Sequence, residues 1–257
     1  MHSHGKETDR SITAPFVSVI IPVYNDADRL ALCLTALTSQ TYPNSRYEVI
    51  VVDNGSSNNL EIVRRVFKNV LFLKENRPGS YCARNRGLEA AKGEVLSFTD
   101  SDCIPAVDWI ESGVEKLLSS PKCGLVAGKI RLYFKDPKKQ TPVEVYESIH
   151  AFDQKNMVEN YHHGATANLF TYRQVIDDVG LFNADLKSGG DVEWGKRVYA
   201  RGYQQLYAAD ACVLHPARSE FREIYKKTIR VAGGLHDMGL RNNYDIKATV
   251  VDVMKLF

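Results

Sequence analysis

EVLSFTDSD, residues 94–102, is a short apolar run, Val95, Leu96 and Phe98, that ends in two carboxylates one residue apart, Asp100 and Asp102. The run predicts a buried strand that stops at Asp100-Ser101-Asp102. In an open α/β sheet, ligands bind in the crevice beyond the carboxyl ends of the strands. Two carboxylates there repel each other unless a cation or donor groups lie between them. A hard divalent ion takes oxygen ligands of this kind and brings phosphates with it. Asp and Ser are also ordinary turn residues, so the triplet alone is equally compatible with a surface turn. The rest of the chain decides between the two.

Upstream, Phe16 to Val23, FVSVIIPV, is a nearly continuous β-branched run, the pattern of a strand covered on both faces. Asp26 stands where a helix N-cap would, and Leu30, Leu34 and Leu37 recur on one helical face. Tyr47 to Val52 predicts a second strand, followed at once by Asp53-Asn54-Gly55-Ser56. A helix over about Asn58 to Phe67, a short strand at Val70 to Leu73 and a helix over Ser80 to Ala91 complete the alternation. β-α-β-α-β-α-β of this kind predicts a parallel sheet with helices on its faces. Right-handed crossovers put the loops after successive strands on one edge. Tyr24-Asn25, Asp53-Asn54 and Asp100-Ser101-Asp102 are therefore expected to converge.

The second half is less regular. A helix is expected over Trp109 to Leu118, a long strand over Leu125 to Phe134, and one helix from Val143 to about Val158. His163 to Phe170 reads as extended, Tyr172 to Val179 and Val192 to Arg201 as helices, and Tyr203 to Tyr207 and Ala211 to Leu214 as two short strands. Ser219 to Leu240 reads as an amphipathic helix interrupted by Gly233-Gly234.

The chain has 257 residues, 25% of them charged, with a net charge of +2. That balance gives no argument for a nucleic-acid partner. Five scattered cysteines without a C-x-x-C pair argue against a disulfide framework or zinc site and suit a reducing cytoplasm. No apolar run approaches a membrane span, and the opening MHSHGKETDRSIT has no signal-peptide core. The expected division is a disordered lead-in over 1–14, one unit over 15–217 with a nucleotide half (15–103) and an acceptor half (104–217), and a helical extension over 218–257.

Six stretches in this order resemble the family 2 glycosyltransferases of GT-A fold: VSVIIPVYN, VVDNGSS, RPGSYCARNRG, TDSD, HGATANLFTYRQVIDDVGLFN and GGDVEWGKRVYARGY. The resemblance covers roughly residues 16–217. It implies a Rossmann-like, mostly parallel sheet with helices on both faces and a mixed acceptor-side half. It also implies transfer of a sugar from a nucleotide diphosphate sugar, UDP-linked, to a hydroxyl of a glycan or lipid-linked acceptor. Two departures stand out. Asn54 replaces a second aspartate after the second strand, and Gly190 stands where a glutamate often precedes the base.

By that resemblance Pro22, Val23, Tyr24 and Asn25 wall the base and ribose, with Tyr24 as core filler the rival reading. Asp53 accepts from a uracil-type ring or closes an Asx-turn. Arg84 holds the diphosphate or braces Asp100, its fork suited to either anion, while Arg86 is a solvated charge. Asp100 and Ser101 lie near the ribose, and Asp102 binds Mn²⁺ or Mg²⁺, with His215 as a further ligand or merely a strand-end histidine. Asp191 is the base that deprotonates the acceptor hydroxyl in one inverting displacement, or an N-cap aspartate. His163, Asn168, Glu193 and Trp194 belong to the acceptor or sugar side, with the core the favoured place for Trp194. Adjacent His162 and His163 point to opposite faces of an extended segment, so no dinuclear metal site is expected there.

Arg218 to Arg230 carries five cations interleaved with Phe221, Ile224, Tyr225 and Ile229. Such a helix lies on anionic lipid or packs, solvated, on the catalytic unit. Peripheral membrane contact on the cytoplasmic face is therefore an expectation. The closing ATVVDVMKLF is apolar without a stop signal and suggests a partner-binding tail or a chain that continues. Two rivals compete with transfer. A metal-dependent nucleotidyltransferase or phosphohydrolase would need an early basic Gly-rich loop or a first-strand D-x-D, and the first strand ends in Tyr24-Asn25 instead. A nucleotide-sugar sensor or scaffold would not need Asp191.

Overall fold

The run FVSVIIPV becomes β1 (Val17–Val23), a strand covered on both faces, in a computed structural model that describes residues 14–57 and 60–239. Side chains alternate along a strand, and here the alternation divides two cores. Val17, Val19, Ile21 and Val23 enter one core, with Leu30, Leu34 and Leu37 of α1 (Ala27–Leu37). Ile20 enters the other, with Ile50 and Val52 of β2 (Tyr47–Asp53). After α2 (Glu61–Val66) and β3 (Leu71–Lys74), α3 (Ser80–Ala90) brings Tyr81, Ala83 and Leu88 to this second core.

β1 pairs in parallel with β2 and with β4 (Val95–Thr99), and β2 pairs in parallel with β3. The ends of β1, β2 and β4 therefore share one rim, as the alternation predicts. The remaining strands are β5 (Ile104–Pro105), β6 (Cys123–Tyr133), β7 (Asn168–Tyr172) and β8 (Gln204–Pro216). They extend the same sheet in the order β3-β2-β1-β4-β7-β6-β8-β5. β7 is antiparallel to both β4 and β6, and β8 is parallel to β6. Helix α4 (Trp109–Leu118) covers the first core; α7 (Arg173–Val179) and α8 (Gly190–Ala200) cover the second.

The second half departs from expectation in four places. The helix expected from Val143 to Val158 is two, α5 (Pro142–His150) and α6 (Gln154–Tyr161), broken at Phe152, whose φ is +57°. The extended segment from His163 becomes a strand only at Asn168. The two short strands after Gly202 are one, β8, whose pairing with β6 shifts register between Gly128 and Lys129. Finally α9 (Phe221–Asp237) runs unbroken through Gly233-Gly234. Close approach explains the second of these glycines: a β-carbon there would lie 2.3 Å from the carbonyl oxygen of Ser188. Residues 1–13 of the expected lead-in, residues 58–59 and the apolar C-terminal stretch lie outside the described residues.

Candidate active site

The rim formed by β1, β2 and β4 opens into a cavity of about 610 Å³ lined by Pro22, Val23, Tyr24, Asn54, Gly79, Arg84 and Asp100-Ser101-Asp102. Tyr24 is 65% exposed, which removes the core-filler reading. Asn25 and Asp53 serve the loops behind this cavity. Asn25 Oδ1 accepts from the Ser57 N–H at 2.7 Å, and Asp53 Oδ1 accepts from the Ser56 N–H at 2.9 Å, which is the Asx-turn alternative. Asn54 fastens the approach to α3. Its Nδ2 donates to the carbonyls of Glu75 and Arg77 at 3.1 and 2.7 Å, and its Oδ1 accepts from the Gly79 N–H at 2.7 Å. An ionised aspartate only accepts and could not make the first two bonds.

Arg84, on the inner face of α3 and buried, pairs with Asp100 Oδ1 at 2.5 Å. Its reach to the strand end realises the bracing alternative. Arg86 is exposed and pairs with Glu89. Asp102 Oδ1 faces His215 Nε2 at 3.7 Å, and Asp102 Oδ2 faces Arg29 at 3.7 Å. Burial pushes the Asp102 carboxyl above the usual range and Asp100 adds to this, with His215 opposing. His215 Nδ1 lies 2.8 Å from the Pro216 carbonyl oxygen. That oxygen only accepts, so Nδ1 carries a proton and Nε2 is the ring nitrogen turned toward Asp102. Cys103 Sγ lies in the same cluster. Burial keeps its thiol protonated well above the usual range, and it donates to the Ala167 carbonyl at 3.8 Å. One carboxylate and one imidazole are the donors left, a set that suits a hard to borderline divalent ion.

A second cavity of about 550 Å³ shares Ser80, Arg84 and Asp100 with the first and extends past Asp191, His163 and His215 to α9. Asp191 sits in the first turn of α8, after Gly189 at φ +80°. Its Oδ1 accepts from the Tyr81 hydroxyl and from the Val192 N–H, both at 3.0 Å. Tyr81 went unassigned in the sequence, although its place three residues before Arg84 puts both on one helical face. His163 Nδ1 lies 3.2 Å from the Tyr161 carbonyl, and burial lowers its imidazole's affinity for a proton. Ile224, Lys227, Thr228 and Arg230 of α9 form the far wall. Lys227 and Arg218 both bind the buried carboxylate of Glu147 on α5, at 2.9 and 2.8 Å.

Three acceptor-side candidates lie outside both cavities, and Trp194 takes the core place favoured for it. Asn168 is fully buried, bonded through its side chain to Trp109 Nε1 and to the carbonyls of Lys129 and Ala211. It locks β6, β7, β8 and α4 together. Trp194 is fully buried, its Nε1 donating to the Gly180 carbonyl at 2.9 Å. Glu193 turns back along α8 to Arg197 at 2.6 Å, because residues four apart on a helix are neighbours. None of the three lines either cavity.

A model of the family described as Glycosyl transferase family 2 matches residues 18–180. The chain is 43% identical over 227 residues to the glycosyltransferase AglE of Haloferax volcanii, covering 86% of this chain and 73% of that protein. It is 33% identical over 147 residues to chondroitin synthase of Escherichia coli, covering 55% of this chain but only 20% of that protein. Among solved structures, the Pyrobaculum calidifontis mannosyltransferase PcManGT, in complex with GDP-Man and Mn²⁺, superposes with a TM-score of 0.68 at 24% identity, covering 91% of this chain and 66% of that one. TarS 1-349 of S. aureus, in complex with UDP, superposes with a TM-score of 0.60 at 18% identity, covering 91% and 68%. The sheet order and the matched segment, well over half of the chain, lead to one conclusion: this chain belongs to glycosyl transferase family 2 and is a glycosyltransferase of GT-A fold.

Proposed function

We propose that this enzyme moves a sugar from a nucleoside diphosphate sugar, UDP-linked by resemblance, to a hydroxyl of a glycan or lipid-linked acceptor, in one inverting displacement with Asp191 as base. The observation that carries this reading is the junction of the two cavities at Ser80, Arg84 and Asp100, with Asp102 on one side and Asp191 on the other. The first cavity takes the nucleotide, with Pro22, Val23 and Tyr24 along the base and ribose. Arg84 fixes Asp100, so the carboxylate at the strand end is held before the donor arrives. Asp102 and His215 would hold Mn²⁺ or Mg²⁺, and the donor set fits either because no thiolate competes. When bound, such an ion neutralises the charge that gathers on the departing diphosphate.

The acceptor enters the second cavity. Asp191 takes the hydroxyl proton as the oxygen attacks the anomeric carbon, and the bond to the diphosphate oxygen breaks from the opposite face. The proton ends on the Asp191 carboxylate and the electron pair on the diphosphate. Residues 15–217 form the transferase unit, and α9 of the following segment closes the acceptor cavity. Among the described residues no helix is long and apolar enough to cross a membrane. The outer face of α9 instead carries Phe221, Tyr225 and Ile229 in one exposed row beside Arg222 and Lys226, a pattern suited to an anionic bilayer surface. Five free cysteines are in keeping with the cytoplasmic face.

The test is a thermal-shift panel of UDP- and GDP-linked sugars with and without Mn²⁺, followed by turnover. One donor should stabilise the protein only with the ion, and Asp191→Asn should abolish turnover while that stabilisation survives. If no nucleoside diphosphate raises the melting temperature, the reading fails.

A further inference from the structure

Gly190 leaves a space that the ring of Tyr81 occupies. A β-carbon at Gly190 would lie 2.8–2.9 Å from three atoms of that ring. The ring is 6% exposed, sits 5.9 Å from the ring of Phe182, and carries the guanidinium of Arg84 5.6 Å from its centre. Its hydroxyl donates to Asp191 Oδ1, the oxygen that also accepts the Val192 N–H. Two donors on one oxygen fix the rotation of the carboxylate and leave Oδ2 for another partner.

We propose that Tyr81 is a positioning residue for Asp191, admitted by the missing side chain of Gly190, and that it ties the carboxylate on the acceptor side to the helix that also carries Arg84 to Asp100. The inference rests on the reading of Asp191 as base for its catalytic meaning, and on geometry alone for the contact. The chemistry of the phenol agrees. Burial, with the negative charge of Asp191 adding to it, holds the Tyr81 hydroxyl far above its ordinary range, so it remains a donor throughout the working range. The groups that face this pair are Arg84 on α3 and His163, whose protonated imidazole the negative charge of Asp191 favours across the cavity.

The test has a ligand-free arm and a turnover arm. In the first, melting temperatures are measured for the whole chain as wild type, Tyr81→Phe, Asp191→Asn and the double variant. Tyr81→Phe keeps the ring and removes the bond. It should lower the melting temperature by about 2 °C in the wild-type background and by less in the Asp191→Asn background. Equal losses in both backgrounds overturn the inference, because the hydroxyl would then contribute through something other than the Asp191 carboxylate. In the second arm, release of nucleoside diphosphate from UDP-glucose and from GDP-mannose is followed with Mn²⁺. Tyr81→Phe should lower kcat roughly tenfold with the donor KM unchanged, and Gly190→Ala, which displaces the ring, should repeat that signature. An unchanged kcat in Tyr81→Phe, beside an inactive Asp191→Asn, overturns the inference and leaves the base intact. Full turnover in Asp191→Asn instead removes the base reading, and the melting cycle still decides the contact.

Discussion

Asn54 shows how one atom's identity is fixed by its neighbours. Its amide gives two hydrogen bonds to the loop before α3 and receives one from Gly79. Asn54→Asp restores the residue type that the family pattern leads one to expect, yet it replaces two donated bonds with repulsion between a carboxylate and two carbonyls. The expected outcome is a loss of about 2 kcal/mol, seen as a melting temperature lower by about 5 °C, together with weaker donor binding because the loop carries Gly79 and Ser80 into the cavity. An unchanged melting temperature would mean that the loop is held by other contacts. A second outcome concerns the ion. His215→Ala should remove the stabilisation that Mn²⁺ gives with a nucleoside diphosphate, since Asp102 alone offers one carboxylate; a full Mn²⁺ response in that variant would put the ligand set elsewhere. Asp100, Asp102, Asp191, Arg84 and His215 could be named through the family resemblance, each standing just after a strand or glycine signal that marks its place. Asn168 could not be placed, because its direction depends on Trp109, 59 residues away, whereas the i,i+4 spacing of Glu193 and Arg197 was a local signal that went unread.

The helix α9 is where local pattern and long-range packing part company. Two glycines in an amphipathic run predict a break, since each weakens a helix by about 1 kcal/mol. The helix continues because its inner row, Ile224, Thr228 and Gly234, packs back on the domain, and Gly234 seats directly on the Ser188 carbonyl. Gly234→Val should therefore lift the end of α9 from the loop leading to Asp191. Faster amide exchange in 224–237 and at Ser188 would report it, and unchanged exchange would show that the contact is dispensable. The start of α9 is held differently, by Glu147. Burial pushes that carboxyl up, but the charges of Lys227 and Arg218 outweigh it and hold it below the usual range. A value lower in the folded state than in the unfolded chain means that this contribution is complete above the ordinary glutamate value of about 4.3 and disappears as the pH falls through the depressed one. Burial also lowers the Lys227 amine, a cost that is present at neutral and acid pH and relieved only as the pH rises toward the ordinary lysine value. Glu147→Gln should cost about 3 kcal/mol at pH 7 by leaving two cations without their partner, and should flatten the acid limb of the stability profile. The outer face is tested separately: Arg222→Glu with Lys226→Glu should abolish sedimentation with phosphatidylserine vesicles while leaving the melting temperature in place, and persistent sedimentation would exclude this face as the contact.

At the scale of the whole molecule, the proposed nucleotide half and the proposed acceptor half share one sheet and one set of cores. β4 is the joint, parallel to β1 on one side and antiparallel to β7 on the other. The second core takes Ile20 and Leu96 from the first half and Leu169, Val175 and Trp194 from the second. The parallel half was legible because each of its strands is a nearly continuous apolar run followed by a turn signal. The acceptor half was less so, because the ends of β6 and β8 alternate buried and exposed positions and the pairing that joins them spans about eighty residues. Two halves built on one sheet should not melt apart. Calorimetry should give a single transition, and Leu169→Ala, a cavity beside the joint costing about 3 kcal/mol, should move that transition as a whole. Two resolved transitions, or one that splits in Leu169→Ala, would show halves that fold independently. The consequence for transfer follows from where the two cavities meet: Ser80 and Arg84 belong to α3, Asp100 directly follows β4, and Asp191 belongs to α8, on the far side of the β4–β7 seam. The proposed base and diphosphate anchor, if carried on independently moving halves, would lose their alignment with each fluctuation. On one cooperative sheet their separation is set by strand pairing, so Leu169→Ala should lower kcat even at temperatures where the protein remains fully folded.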